Sequence, residues 1–202
     1  MNFKDLKVFC ISLNRRKDRR ENIEKRLKDL SIEFEFFDAI DGSLLTESYQ
    51  LPKGAIGCNL SHMNLYRSLA DYDKPILIIE DDAEFANDVI DQFNSIDIPD
   101  DWALLYFGGN HNGEDLDMIN HRIHRLKKTF TTHCFAINPK NINLNDISNG
   151  FELFYKDLVI DEYLAYHIQS KFPCYGIYPH ISWQSTGFSD ILQQDVNYSF
   201  LK

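Results

Sequence analysis

The chain has 202 residues, of which 44% are hydrophobic, and its formal net charge is -10. A chain of this length and composition can close a hydrophobic core, which predicts a single domain over residues 1–202. The acidic balance leaves no dominant basic stripe for neutralising phosphates, so nucleic-acid binding is not expected.

The predicted elements alternate between strands and helices. In chain order they are a strand over 7–13, a helix over 15–30, a strand over 33–42, a helix over about 56–72, strands over 74–80, 102–109 and 129–140, a helix over 161–172 and a strand over 174–180. Residues 110–121 are polar and are predicted to form a mobile loop, and 181–191 an irregular tail. This alternation predicts an α/β fold with a parallel sheet.

Three consecutive carboxylates, Glu80, Asp81 and Asp82, follow the third predicted strand. Ligands of open α/β sheets gather at the carboxyl ends of strands, where a carboxylate pair can hold a hard divalent cation against a phosphate. Alternation along the strand predicts that Glu80 and Asp82 point to one side and Asp81 to the other. The competing interpretation is that Asp81 or Asp82 caps a helix that begins near Ala83.

Four arginines, Arg15, Arg16, Arg19 and Arg20, come directly after the first predicted strand, and Asn14 is placed to cap the helix that follows. A helix N-terminus that carries arginines attracts phosphate. The alternative is a basic helix face that is only solvated. A cation site and a phosphate site on one sheet edge together indicate a nucleoside diphosphate ligand.

The order of four blocks, VFCISLNRRKDRR, FDAIDG, GAIGCNLSHMNLYRSL and PILIIEDDAEF, resembles glycosyltransferase family 25. The later segments TTHCFAINPK, VIDEYLA and YPHISWQSTGFSDI resemble it as well, so the resemblance covers nearly the whole chain. It implies a GT-A-type, Rossmann-like fold with a mostly parallel central sheet flanked by helices. A donor-binding part is expected over about 1–110, and an acceptor part that completes the metal site over about 111–202.

The family resemblance also implies an activity. It implies an inverting transferase that moves a hexose, typically galactose, from a UDP-sugar to a hydroxyl of a glycan, a lipooligosaccharide or a protein, with Mn²⁺ or Mg²⁺ as cofactor. Two alternatives stay open: a catalytically silent sugar-nucleotide-binding or scaffold protein that keeps the fold, and another nucleotide-sugar or nucleotidyl enzyme. Residues 110–121 do not align with family motifs, and no extra acceptor domain is evident, so the acceptor is not assigned.

The resemblance assigns roles to individual residues. The residues expected to contact the nucleotide and the sugars are Ile11, Ser12, Leu13, Asn14, Arg19, Asp38, Ala39, Ile40, Gly57, Ser61, His62, Asp81, His133 and Gln184. Those expected to hold the metal are Glu80, Asp82 and His180, with Asp82 as the main ligand, and the spacing of Glu80 and Asp82 is that of a D-x-D motif with Glu first. Asp161 is expected to be the general base, and Glu162 is its rival.

Each of these assignments has a structural alternative. The residue pattern by itself favours a core histidine satisfied by a neighbour at position 62, and His133 is as consistent with a side chain that faces adjacent strands. His180 is equally consistent with an exposed loop histidine. Asp161 opens a predicted helix, where a carboxylate is favoured by the helix dipole in any case.

The cysteines and the apolar runs bear on the compartment. Cys10, Cys58, Cys134 and Cys174 form no C-x-x-C pair, so a zinc knuckle or a redox motif is not expected. They are interpreted as reduced core residues of a cytoplasmic protein, with disulfides as the less favoured alternative. No apolar run approaches the ~20 residues of a membrane helix, and the N-terminus lacks the pattern of a signal peptide. Membrane contact is therefore expected only as peripheral binding at the inner face.

Overall fold

The structure, a computed structural model, describes residues 1–111, 117–191 and 193–197. The helices within these ranges are α1 (Lys17–Asp29), α2 (Lys53–Ser68), α3 (Val89–Asn94), α4 (Leu144–Glu152) and α5 (Ile160–Tyr163), and α5 continues as a π-helical segment over Leu164–Ile168. The strands are β1 (Lys7–Ser12), β2 (Glu35–Asp38), β3 (Ile76–Glu80), β4 (Ala83–Phe85), β5 (Leu104–Tyr106), β6 (Asp117–Met118), β7 (Ile123–Arg125), β8 (Cys134–Ile137), β9 (Cys174–Ile177), β10 (Ser182–Gln184), β11 (Gly187–Ser189) and β12 (Gln194–Val196).

The central sheet has eight strands in the order β2-β1-β3-β8-β5-β9-β7-β6. Six of them, β2, β1, β3, β5, β9 and β6, run in the same direction, and β8 and β7 run against them. The predicted α/β architecture with a mostly parallel sheet is therefore confirmed. The carboxyl ends of β1, β2 and β3 lie side by side at one edge, because these three neighbouring strands are parallel.

The core lies on both faces of this sheet. Side chains alternate along β1, so that Val8 and Cys10 join one hydrophobic cluster while Phe9 and Ile11 join the other. The first cluster packs α1 and α3 against the sheet, and the second packs α2, α4 and α5. Strands buried on both faces explain the continuous apolar run Ile76–Ile79, whose four side chains are at most 1% exposed.

Two predictions about local structure are wrong. No helix begins near Ala83, because Ala83–Phe85 form β4, which pairs antiparallel with β10. The capping interpretation of Asp81 and Asp82 therefore fails. Asn14 does not cap α1 either: α1 begins at Lys17 after Arg16, and the Asn14 side chain instead accepts a hydrogen bond from Lys17 Nζ at 2.7 Å.

The tail is more regular than predicted. It contains β10, which pairs with β4, and β11, which forms a hairpin with β12 just after the predicted tail. The predicted loop over 110–121 includes β6, which pairs with β7 at the edge of the sheet, while 112–116 lie outside the described residues. The four cysteines are free, as predicted, and three of them are buried. None of the described helices is long and apolar enough to cross a membrane.

Candidate active site

A cleft of about 610 Å³ opens at the carboxyl ends of β1 and β3, between the start of α2, the start of α5 and the tail. The predicted site residues that line it are Ile11, Ser12, Leu13, Arg19, Ala39, Ile40, Ser61, His62, Glu80, Asp81, Asp82, Asp161 and Gln184. Those that do not line it are Asn14, Asp38, Gly57, His133 and His180. The structure thus brings together the predicted metal-binding carboxylates and the predicted base.

Asp81 anchors the strand ends to one another. Its two carboxylate oxygens accept hydrogen bonds from Ser12 Oγ and from Arg19 Nη1, each at 2.7 Å. Arg19 also donates to the backbone oxygen of Phe188 at 2.6 Å, which joins α1 to the tail. These two hydrogen bonds hold Asp81 between β1 and α1, so this residue organises the site.

Asp82 carries a carboxylate without full compensation. Its Oδ1 is buried and has no hydrogen-bond partner, and its Oδ2 lies 3.6 Å from Arg19 Nη1. Burial and the neighbouring Glu80 raise the pKa of Asp82 to about 7, although Arg19 opposes this shift. A buried carboxylate oxygen without a donor is costly unless a cation or a proton meets it, so Asp82 suits a metal ligand.

Glu80 lies beside Asp82 but has partners. Its Oε1 accepts a hydrogen bond from Thr132 Oγ1 at 2.6 Å and lies 3.4 Å from His62 Nε2. Burial opposes ionisation, yet His62 and Thr132 hold the pKa of Glu80 below its ordinary value. The two carboxylates therefore differ in charge near neutral pH: Glu80 is ionised, and Asp82 is close to half-protonated.

His62 and Ser61 serve the fold as well as the cleft. His62 is fully buried, and its Nδ1 lies 3.2 Å from Tyr66 Oη. Ser61 Oγ accepts a hydrogen bond from Ile40 N at 2.8 Å and donates to Gly57 O at 2.6 Å. These bonds fix the segment after β2 against α2. A side chain at Gly57 would approach the Ile40 backbone oxygen to 2.6 Å, so glycine permits this close packing.

Asp161 lies at the start of α5 and is held by backbone donors. Its Oδ2 accepts from Thr131 N at 3.1 Å and its Oδ1 from Glu162 N at 2.8 Å, and burial raises its pKa. Thr131 has a φ of 77°, which is unfavourable for a β-branched residue. Such an outlier in a cleft wall is typical of a functional site, because the surrounding structure must enforce it.

Asn59 positions the segment that carries Asp161. It is fully buried in α2; its Nδ2 donates to Tyr155 O at 2.7 Å and to Leu158 O at 3.0 Å, and its Oδ1 accepts from Ile160 N at 2.9 Å. One side chain thus satisfies three backbone groups at the start of α5. Asn59 lies within GCNLSH and is not among the predicted site residues, although a polar residue on the buried face of a helix is a signal for such a role.

Asn59→Ala is expected to lower the free energy of unfolding by about 3 kcal/mol, because each buried backbone group left without a partner costs about 1–3 kcal/mol. Asn149 lies exposed on α4, and Asn149→Ala is the matched control, with an expected change within about 0.5 kcal/mol. Urea titration of both variants measures the difference. Equal stability of the two variants would show that the Asn59 bonds contribute nothing.

The arginines of the first helix are engaged with carboxylates. Arg15 binds both Asp41 and Asp190, and Arg16 binds Asp18 and Asp190. Arg19 pairs with Asp81 and, at 3.6 Å, with Asp82, and Arg20 pairs with Asp38. The basic face is therefore more than a solvated surface, because Asp190 ties the tail to the start of α1. Asp190 itself lines the cleft.

The structure does not bring His180 together with Glu80 and Asp82 at the cleft. The Nε2 atoms of His180 and His111 lie 3.0 Å apart, and His111 Nδ1 lies 2.8 Å from Thr129 Oγ1. His133 is fully buried, with its Nδ1 3.2 Å from Thr131 Oγ1. Burial lowers the pKa of His111 and of His133 to about 4, so both are neutral at physiological pH.

The chain is similar in sequence to known glycosyltransferases. A putative glycosyltransferase of Acanthamoeba polyphaga mimivirus is 30% identical over 146 residues, which cover 64% of this chain and 45% of that protein. Human procollagen galactosyltransferase 2 is 31% identical over 128 residues, covering 50% of this chain and 20% of that protein. The chain thus spans less than half the length of both relatives.

The fold has a counterpart among solved structures. A glycosyltransferase involved in the glycosylation of the major capsid of PBCV-1 superposes with a TM-score of 0.58 at 8% identity, over 93% of this chain and 96% of that one. At this identity the similarity shows the fold alone, which is of the GT-A type, as predicted. Residues 5–159 match the sequence pattern of "Glycosyltransferase family 25 (LPS biosynthesis protein)". This match covers most of the chain, which therefore belongs to glycosyltransferase family 25.

Proposed function

We propose that the chain is an inverting, metal-assisted glycosyltransferase that moves a hexose from a UDP-sugar to a hydroxyl of a glycan, a lipooligosaccharide or a protein. The observation that carries the proposal is the cleft itself, which is lined by Asp82 with its unpartnered buried oxygen, by the ionised Glu80 and by the half-buried Asp161. Galactose is the proposed sugar because a relative bears the name procollagen galactosyltransferase.

The carboxylates at the end of β3 fit a hard divalent cation. Glu80 is ionised at neutral pH, and Asp82 offers a buried oxygen that lacks a hydrogen-bond donor. Mg²⁺ and Mn²⁺ accept few protein carboxylates together with diphosphate oxygens, and the cation, when bound, offsets charge on the departing diphosphate. Glu80 and Asp82 are therefore the proposed ligands, and Arg19 limits the negative charge that collects beside them.

Asp161 is the proposed general base. An acceptor hydroxyl is a poor nucleophile until its proton is being removed, and a carboxylate within hydrogen-bond reach can remove it. Burial raises the pKa of Asp161, which brings the carboxylate closer in basicity to the proton it must accept. The bonds from Thr131 N and Glu162 N keep its orientation fixed.

UDP release from a panel of UDP-sugars in the presence of Mn²⁺ tests the proposed function directly. We expect release from UDP-galactose that rises when a glycan, lipooligosaccharide or hydroxyl-bearing peptide acceptor is added. A catalytically silent protein would bind Mn²⁺ and UDP without release. A nucleotidyl enzyme would form or consume pyrophosphate instead. Either of these results would overturn the proposal.

Arg19→Ala is expected to weaken UDP binding about 10- to 100-fold and uridine binding much less. The reason is that the proposed contact joins the Arg19 guanidinium to the diphosphate, which uridine lacks, and such a charge-assisted hydrogen bond contributes about 1.5–3 kcal/mol. Calorimetric titration with both ligands measures the two losses. The control is Arg67→Ala, which removes an exposed pair with Glu152 on another part of the chain. Equal losses for UDP and uridine would assign Arg19 to the fold, where it holds Asp81, rather than to the diphosphate.

A further inference from the structure

Three side chains in the cleft form a group that the proposed reaction does not use together. Cys58 and His62 lie one turn apart on the same face of α2, and Glu80 ends the neighbouring strand β3. The sulfur of Cys58, a ring nitrogen of His62 and a carboxylate oxygen of Glu80 all lie within 4.8 Å of one another. Among the residues that the structure describes, this is the group of three whose donor atoms converge in this way.

The spacing matches tetrahedral coordination. Two ligand atoms that each lie ~2.1 Å from a tetrahedral zinc ion are about 3.4 Å apart. His62 Nε2 and Glu80 Oε1 are 3.4 Å apart, so a zinc ion can bind both with little rearrangement. The Cys58 sulfur lies within 4.8 Å of both donor atoms, so it must move by about 1 Å to complete the third position.

Two of the three groups already have the supporting hydrogen bonds that metal ligands require. When His62 Nε2 binds a metal it gives up its hydrogen bond to Glu80, and the ring proton moves to Nδ1, where Tyr66 Oη lies 3.2 Å away to accept it. Thr132 Oγ1 donates to Glu80 at 2.6 Å and fixes the carboxylate. Outer hydrogen bonds of this kind orient ligands and raise metal affinity.

We propose that Cys58, His62 and Glu80 form a zinc site in the wall of the cleft, with the fourth position open to the cleft. A thiolate with an imidazole and one carboxylate selects Zn²⁺ over Mg²⁺ or Mn²⁺, which prefer oxygen ligands. Burial and Glu80 keep the Cys58 thiol protonated, so binding releases the thiol proton to solvent as the Zn–S bond forms.

A zinc ion at this site takes Glu80 away from the hard cation of the proposed reaction. Zinc therefore acts as a competitive inhibitor with respect to Mn²⁺, and this consequence alone rests on the proposed function. The zinc site itself depends only on the three donor groups. The two ions compete at Glu80 because this carboxylate is a ligand in both proposed metal sites.

Cobalt substitution tests the zinc site without any measurement of activity. Co²⁺ added to the wild-type protein should give a sulfur-to-cobalt charge-transfer band, and zinc should abolish it. Cys58→Ala should lack the band and bind zinc at least about 100-fold more weakly, since even the loss of an outer partner costs about 10- to 100-fold. Cys174→Ala, which removes a buried thiol from β9, is the control and should keep both.

Several results would overturn the proposal. One is the absence of a charge-transfer band in the wild type; another is unchanged zinc affinity in Cys58→Ala. Circular dichroism checks that the variant is folded, and Cys58→Ser replaces it if it is not. Titration of each variant with Mn²⁺ and UDP separates the two proposals: lost zinc binding with intact Mn²⁺-UDP binding is expected for Cys58→Ala. A protein that binds zinc but not Mn²⁺-UDP would contradict the proposed function alone.

Discussion

Asp161→Asn is expected to lower sugar transfer by about 10²–10⁴-fold while the affinity for Mn²⁺ and UDP stays nearly unchanged, because this is the usual contribution of a general base. The amide has nearly the same size as the carboxylate but cannot accept the acceptor's proton. Transfer is measured with saturating donor and acceptor, and UDP affinity by calorimetry. The two readouts together separate a base from a residue that only binds the donor.

The matched control for Asp161 is Glu162→Gln, which removes a neighbouring carboxylate of the same helix turn that does not line the cleft. Glu162→Gln should keep transfer close to the wild-type rate. Wild-type transfer by Asp161→Asn, or a large loss in the control, would move the role to Glu162. Because Asp161 accepts two backbone hydrogen bonds, thermal unfolding of both variants must show that α5 remains in place.

The main strands and helices were predictable because their signals are local. Four consecutive apolar residues at 76–79 predict a strand buried on both faces, and Ile23 and Leu27 predict the buried face of α1. By contrast, β4 has only three residues and exists because it pairs with β10, about a hundred positions later in the chain. The three carboxylates before this segment instead predict a capped helix. Such pairing depends on the tertiary fold and leaves no periodic signal.

The candidate site was predictable to the same extent. The D-x-D spacing and the block VIDEYLA placed Glu80, Asp82 and Asp161, all of which line one cleft. Thr131 and Asn59 were missed because their roles arise from contacts between segments distant in sequence: a strained backbone that donates to Asp161, and a buried amide that holds the start of α5. No single-sequence pattern reports a positive φ at a threonine.

The two carboxylates of the proposed metal site have unequal hydrogen-bond partners, and their pKa values shift in opposite directions. Glu80 obtains its hydrogen bonds from Thr132 and His62, and its pKa falls. For Asp82, burial and the charge of Glu80 outweigh the opposing effects of Arg19 and of a hydrogen bond from Gln184, and its pKa rises from its ordinary value of 3.8 to about 7. A cation that binds between them would offset the repulsion between the two carboxylates, and its positive charge would meet the Asp82 oxygen that has no hydrogen-bond donor. The unequal partners of the two residues therefore favour metal binding.

Asp82→Ala is expected to weaken Mn²⁺-dependent UDP binding at least about 100-fold without unfolding the protein, because a ligand is lost and outer partners alone contribute about 10- to 100-fold. Calorimetric titration with UDP, with and without Mn²⁺, measures the effect. Asp88 is exposed at the start of α3 and serves as the matched control, since Asp88→Ala removes a carboxyl group that does not line the cleft. Metal-dependent affinity that survives in Asp82→Ala would exclude Asp82 as a ligand.

The pH dependence of Asp82 gives this assignment a second test with a definite sign. The folded protein holds a proton on Asp82 up to a pH of about 7, whereas the unfolded chain loses it near 3.8. Between these values the native state binds more protons, so without metal the free energy of unfolding contributed by this group falls as the pH rises.

Mn²⁺ must displace that proton, so Mn²⁺ affinity should fall by about tenfold per pH unit below 7 and level off above it. Asp82→Asn should remove the fall in stability across this window, and Asp88→Asn should retain it. A wild-type protein whose metal affinity does not change between pH 5 and pH 7 would contradict a raised pKa at Asp82 and with it the proposed role of the unpartnered oxygen.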